Sequence, residues 1–321
     1  MDRIQAHFSW NNQMQSSDLI PVIINASSGA GYTEEWVNDL VKQFRLAGLN
    51  AKVTLAGSGA EILAAVQDAV SRKPRVIVAG GGDGTINAVG AALEGTDIAL
   101  GVLPLGTLNH FAKDMHIPLE LDDAIRNIAD GHLLRIDAGK VNDSLFLNNS
   151  SLGIYPDVVR DREKQQRRLG WGKWRAFGWA AMMGLRRYPF LDVRLTTDNK
   201  THHRSTPFIF IGNNEYVMEG FNIGGRNALD GGHLGLYMPR RVGRFGLFML
   251  GIQTLFGRLR QARDFDMLTV EEIEIDSRKK RLRVAIDGEV TVMETPLRYR
   301  ILPKALTVIA PPLNEAGEAR E

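Results

Sequence analysis

Three consecutive glycines and then an acid interrupt an apolar run in VIVAGGGDGTINAV, residues 76–89. A strand that stops at glycines and restarts as a helix puts bare backbone N–H groups and the positive end of a helix dipole at one point, which suits a phosphate. Taken alone, a tight strand-to-helix turn that uses glycine only for its dihedral freedom would read the same way. Asp83 is what separates the two. Beside a phosphate an extra negative charge is repulsive unless a cation lies between them, so the acid argues for Mg²⁺ or for proton-transfer work. The stretch is neither a Walker loop, since G-x-x-x-x-G-K-[ST] occurs nowhere in the chain, nor a Rossmann turn with G-x-G-x-x-G spacing. A second turn follows at once. IALGVLPLGTLNHFA, residues 98–112, runs an apolar strand into Pro104, Gly106, Thr107 and Asn109 before another helical pattern. A parallel sheet brings two such turns side by side at its C-terminal edge, where α/β sheets bind ligands.

The elements that must position these turns are legible around them. From Leu19 to about Asp137, apolar strands (LIPVIIN, AKVTLA, RVIVAG, IALGVLP) alternate with helical patterns (EEWVNDLVKQFRLAG, AEILAAVQDAVSR, LDDAIRNIADG). That alternation predicts βαβ units and a mainly parallel sheet. After Arg135 the texture changes to strand pairs: LRIDAGKVN with LFLNNSSLG, then LDVRLTT with RSTPFIFIGN around DNKTHH. Hairpins of this kind predict an antiparallel β-sandwich. VAI-DG-EVTV, from Val284, has the spacing of a two-residue type I′ hairpin, in which Asp-Gly serves the turn.

GGDGT followed by PLGTLN resembles the diacylglycerol kinase catalytic-domain family, which includes bacterial lipid kinases and the sphingosine and ceramide kinases. Two further matches keep the family's order: NASSGAG, Asn25 to Gly31, is similar to its N-P-x-S-G loop with Ala26 in place of proline, and IDGE, Ile286 to Glu289, resembles its D-G-E element. GGDG alone also occurs in NAD kinases and phosphofructokinases, so the combination carries the resemblance. It implies an N-terminal three-layer α/β domain with a mainly parallel sheet and a C-terminal antiparallel β-sandwich domain with helical insertions. The expected boundaries are a loose extension over 1–18, a nucleotide-binding domain over 19–137 completed by 299–314, a lipid-acceptor domain over 138–298 and a tail over 315–321.

The implied chemistry is phosphoryl transfer from ATP to a lipid alcohol, with Mg²⁺. Gly81, Gly82, Gly84 and Thr85, with Gly106, Thr107 and Asn109, would cradle the phosphates; Asn25, Ser28 and Thr54 would line the nucleotide side. Asp287 is the candidate general base and Glu289 the carboxylate that orients Mg²⁺ or phosphate, while Asp83 could hold the cation or share the proton-transfer task. Sequence leaves open which of Asp83 and Asp287 is the base. Two positions depart from the family pattern. His110 stands where bacterial relatives commonly carry aspartate, which would alter an acid network with Asp83 and Asp137. In ALDGGHLGL, residues 228–236, Gly231 replaces an aspartate of a segment that holds a structural Mg²⁺ in some relatives, leaving Asp230 alone.

Composition bounds the rest. The 321 residues are 44% hydrophobic and 24% charged with a net charge of +2 and no cysteine, which excludes disulfides, thiolate catalysis and cysteine zinc sites. The longest apolar stretch, FGLFMLGIQTLFG from Phe245, is broken by Gln253 and Thr254 and falls short of the ~20 residues of a spanning helix. The N-terminus has no signal-peptide core, so a cytoplasmic location is expected. The segment from Val158 to Phe190 holds nine Lys or Arg against two acids, with Trp171, Trp174 and Trp179 interleaved. Such a segment suits the surface of an anionic membrane, although a solvated basic helix face has the same composition. No base-reading module argues for nucleic acid, and a homodimer is compatible with the sequence. An NAD kinase-like enzyme with a soluble acceptor would share the GGDG chemistry; a non-catalytic lipid or nucleotide binder would be expected to have lost Asp83, Asp287 and Glu289.

Overall fold

The structure, a computed structural model, describes residues 18–27, 31–153, 190–197, 200–219, 222–226, 228–240 and 264–312. The N-terminal extension, the tail, Ser28, the basic tryptophan-bearing segment and the apolar segment around Phe245 to Phe256 lie outside the described residues. The chain divides into two compact units, one comprising the residues up to Ile136 with those from Lys304 onward, the other Asp137–Pro303.

The first unit opens with β1 (Leu19–Asn25), α1 (Glu34–Leu46), β2 (Asn50–Ala56) and α2 (Gly59–Ser71). It continues through β3 (Val76–Gly81), α3 (Asp83–Leu93), β4 (Ala99–Pro104), α4 (His110–Asp114) and α5 (Leu121–Asp130). The strands stand in the order β2-β1-β3-β4 and pair in parallel. Because β1 leads outward to β2 while β3 leads outward to β4, the strand order reverses between β1 and β3. That is the crevice where open α/β sheets bind ligands. Every residue of β3 and β4 is buried, as expected of strands covered on both faces. On one face Val22, Ile24 and Val78 pack with Leu40 and Phe44 of α1 and Ile125 and Ile128 of α5. The alternate strand residues, Ile23, Ile77 and Ala79 among them, are equally buried on the face that α2 and α3 cover. Side chains cap the first two helices: Thr33 and Ser58 accept from the third residue beyond, Trp36 and Glu61, and Glu61 reaches back to the Gly57 amide.

The second unit follows β5 (His132–Val141), which crosses the boundary, and contains β6 (Ser144–Phe146), β7 (Asn149–Gly153), β8 (Leu191–Thr197), β9 (Lys200–Thr206) and β10 (Phe208–Asn213). Next come β11 (Tyr216–Glu219), β12 (Asn222–Arg226), β13 (Leu234–Pro239) and β14 (Phe265–Val270). The last are β15 (Glu272–Ser277), β16 (Arg281–Ile286), β17 (Glu289–Glu294) and β18 (Leu297–Ala310). One antiparallel layer holds β14-β13-β10-β7-β16-β17; the other is built from the start of β18 with β15, β8 and β9. Their inward residues form one core, with Leu152, Ile209, Ile211, Leu236 and Val284 from the first layer and Val193, Leu195, Ile275, Leu297 and Tyr299 from the second. This is the expected sandwich. β18 begins here and ends in the first unit, where Thr307 and Val308 pair with β4 in parallel.

Two segments that read as single strands are divided. LFLNNSSLG breaks at Leu147 and Asn148 into β6, which pairs with β5, and β7, which pairs with β10 and β16. RSTPFIFIGN breaks at Pro207, whose missing N–H cannot extend a ladder, so that β9 stays with β8 while β10 joins the other layer.

Candidate functional site

The C-terminal ends of β1, β3 and β4 each deliver one predicted loop to the same edge of the parallel sheet. Asn25, at the end of β1, accepts the Ser27 amide on Oδ1 (2.9 Å) and donates from Nδ2 to Thr85 Oγ1 (3.0 Å), so one side chain shapes its own loop and ties it to α3. Ser27, which sequence reasoning passed over in favour of Ser28, donates to the Gly57 carbonyl beyond β2 (2.8 Å). The N-x-S spacing of an Asx turn is the signal that could have found it. Thr54 is exposed within the edge strand β2, two residues before its end.

The two glycine turns meet backbone to backbone. A Cβ on Gly106 would lie 2.4 Å from Gly82 Cα and 3.1 Å from Gly82 N. A Cβ on Gly81 would lie 2.6 Å from Thr85 Oγ1, the atom that Asn25 holds. Gly82 itself is different, since its Cβ would make only a 3.6 Å contact with Gly106 Cα. Gly82 caps α3 without a side chain, leaving the Asp83 and Gly84 amides as helix-terminal donors with no intrahelical partner. In the second turn, buried Asn109 (φ 49°) accepts the Gly106 amide and donates to the carbonyls of Pro104 and Gly106, all at 3.0 Å. It therefore shapes the turn from inside, while Thr107 is exposed at its tip.

Asp83 answers to this arrangement. Its Oδ1 accepts the Phe111 amide (3.0 Å) and its Oδ2 the His110 amide (3.2 Å). Because Asn109 turns its own side chain back into the loop, the first amides of α4 are capped by an acid from the neighbouring turn, a charge-assisted pair of bonds. His110 contributes its backbone to that cap, and its side chain is exposed.

In the second unit the Asp-Gly hairpin is present in register, Ile286 opposite Glu289, with φ 45° at Asp287 and 90° at Gly288, as a type I′ turn requires. Asp287 does more than turn the chain. Its Oδ2 accepts the Leu147 amide (2.8 Å), and its Oδ1 accepts those of Asn148 and Asn149 (2.9 Å each). Leu147 and Asn148 divide β6 from β7, and Asn149 opens β7. Glu289 is exposed at the start of β17. Asp137, almost fully buried, accepts the Gly232 amide on Oδ2 (2.7 Å), and its own amide donates to the Leu229 carbonyl (2.8 Å).

Asp230 is exposed, and a Cβ on Gly231 would lie 2.6 Å from Asn214 Oδ1 and 2.9 Å from the His233 ring. A side chain at 231 would have to displace the Asn214 amide and the His233 imidazole, whose Nδ1 contacts the Gly231 carbonyl (2.8 Å). Among the described residues no group of three or more His, Asp or Glu is placed to hold a metal. Among the same residues no helix is long and apolar enough to cross a membrane.

Comparison with known proteins covers both units. Residues 20–141 match the model of the diacylglycerol kinase catalytic domain, and residues 154–310 match that of the YegS C-terminal NAD kinase beta sandwich-like domain. An uncharacterized protein of Synechocystis sp. is 26% identical over 91% of this chain and 70% of its own length. A diacylglycerol kinase of Staphylococcus saprophyticus is 30% identical over 43% of this chain and 46% of its own length. The chain thus aligns with about half of that relative. A crystal structure of a diacylglycerol kinase from Bacillus anthracis superposes with a TM-score of 0.66 at 19% identity, covering 92% of this chain and 97% of that one, which shows the same fold.

Proposed function

The chain belongs to the diacylglycerol kinase catalytic-domain family, phosphotransferases with an alcohol acceptor, and from that premise we propose that it is an ATP-dependent lipid kinase moving the γ-phosphoryl group to the hydroxyl of a lipid such as diacylglycerol. The observation that carries the reading is the meeting of two glycine turns at the C-terminal edge of the parallel sheet, beside the strand-order reversal, with no side chain between Gly82 and Gly106. Phosphoryl transfer asks for positioning and charge neutralisation more than for covalent chemistry. In the first unit the Asp83 and Gly84 amides would receive phosphate oxygens, Thr107 would contact them from the loop tip, and Asn25 with Thr54 would line the nucleotide side. Mg²⁺ typically binds through one or two carboxylates plus substrate phosphates. In the first unit Asp83 fits that mode, since each of its carboxylate oxygens keeps acceptor capacity beyond its one amide. The ion would neutralise charge on the phosphate oxygens. In the second unit Asp287, fixed by three amides, would take the proton of the acceptor hydroxyl as the new P–O bond forms and ADP leaves.

To reach an acceptor embedded in a bilayer the protein would associate peripherally, from the cytoplasm, with anionic membranes through the basic segment from Arg160 to Arg187. The test is purified protein with γ-labelled ATP and Mg²⁺ against mixed micelles of diacylglycerol, a sphingoid base or ceramide, and against NAD. Label in a lipid product is expected. Label in NAD alone would assign a soluble acceptor, and no transfer to any of these acceptors would overturn the reading.

A further inference from the structure

The second unit contains a partly buried polar network at the corner that holds Asp287, and its centre is Arg226. The Arg226 Nη1 donates to the Leu147 carbonyl (2.7 Å) and to the Asn213 carbonyl (3.3 Å), and Nη2 donates to Asn148 Oδ1 (3.0 Å). Its guanidinium carbon lies 5.4 Å from the centroid of the Tyr216 ring, a cation–π distance. Fully buried Asn213 completes the arrangement, donating from Nδ2 to the carbonyls of Leu147 and Asp137 (2.9 Å each) and from its backbone N–H to the Asn148 carbonyl (2.9 Å).

The peptide between Leu147 and Asn148 is therefore bonded at both ends to charged groups. Its carbonyl accepts from the Arg226 guanidinium, and its N–H donates to the Asp287 carboxylate. The peptide dipole lies with its oxygen toward the cation and its hydrogen toward the anion, so each bond polarises the peptide in the sense that strengthens the other. The orientation of the corner is thus common to Arg226 and Asp287. A corner free to rotate would turn three amides away from Asp287 together.

We infer that Arg226 is a positioning residue for Asp287, acting through the Leu147–Asn148 peptide to hold the carboxylate's direction. The inference rests on Asp287 serving as the base. It makes the guanidinium's charge and fork, rather than its bulk, the property that matters. Arginine offers a planar set of donors to three acceptors at once, lysine offers the charge without the fork, and glutamine offers a donor without the charge.

The test measures kcat and KM for ATP in lipid phosphorylation for Arg226→Lys, Arg226→Gln, Asp287→Asn and the double variant Arg226→Gln/Asp287→Asn, each with its thermal transition. A displacement of about 1 Å in a reacting group costs about 100-fold in rate, so a fall in kcat of about tenfold or more is expected for Arg226→Gln. A smaller fall is expected for Arg226→Lys, and KM for ATP should be unchanged in both. In the Asp287→Asn background Arg226→Gln should cost little further, because the group it positions is already lost; a role confined to stability would subtract equally in both backgrounds. If Arg226→Gln fails to fold, the comparison of Arg226→Lys with wild type and with Arg226→Lys/Asp287→Asn carries the same test. Full activity of the Arg226 variants beside an inactive Asp287→Asn would overturn the inference and leave the base assignment standing. Full activity of Asp287→Asn would overturn both.

Discussion

Replacing Gly106 by alanine puts a methyl group 2.4 Å from Gly82 Cα, 2.8 Å from Asn109 Oδ1 and 3.1 Å from Gly82 N. Carbon atoms rest at about 3.5–4 Å, so the two turns must part by about 1 Å. The nearest neighbours are backbone and the buried amide that shapes the loop, none of them a flexible side-chain end. Overpacking of this kind costs about 1–3 kcal/mol. For a unit of this size each kcal/mol lowers Tm by about 2–4 °C, which predicts a fall of about 2–12 °C. The same separation would pull the Asp83 and Gly84 amides away from the second turn, and about 1 Å there should lower lipid kinase turnover by about 100-fold. Gly82→Ala is the control. Its methyl makes only a 3.6 Å contact, so the fold should melt within about 2 °C of wild type, while the added carbon stands between the turns where phosphate would lie and raises KM for ATP. Calorimetry and ATP titration of the two variants separate collapse of the turns from occlusion of the site. A Gly106→Ala protein with wild-type Tm and turnover would refute the claim that the turns meet as described.

Other outcomes follow from the same geometry. Asp83→Asn can satisfy only one of the His110 and Phe111 amides and turns an NH₂ toward the other, so chemical denaturation should show a loss of about 1–3 kcal/mol. Burial raises the hydroxyl pKa of Tyr237 and of Tyr299, so both stay protonated in the folded chain at pH values where the unfolded chain ionises. Their contribution to stability is complete below about pH 10 and is lost as pH rises toward the folded values, by up to about 1.4 kcal/mol per pH unit for each group; Tyr299→Phe should flatten the decline in denaturant titrations between about pH 10 and 12. Anionic vesicles should sediment with wild-type protein at low salt and release it as salt rises, since screening acts beyond about 8 Å at physiological ionic strength. Changing Arg167, Arg168, Lys173 and Arg175 together to Gln should abolish that binding, and equal sedimentation would move the membrane contact elsewhere.

The amino-acid sequence by itself determined the elements and the turn chemistry. β1 runs over the residues of LIPVIIN, α1 begins at Glu34, the first residue of its helical pattern, and the Asp287-Gly288 turn carries the positive φ angles its dipeptide requires. Each of these depends on apolar period, cap chemistry or dihedral freedom within a few neighbouring residues, which is why a linear reading reaches them. Ser27, the division of β6 from β7 and the engagement of both aspartates came only with the tertiary structure. Asp83 bonds amides 27 and 28 residues away, and Asp287 bonds amides 138 to 140 residues away. A carboxylate carries no mark of its partner in the sequence, because nearly every residue presents the same backbone N–H; which of them reaches it is decided only when the strands and turns have packed.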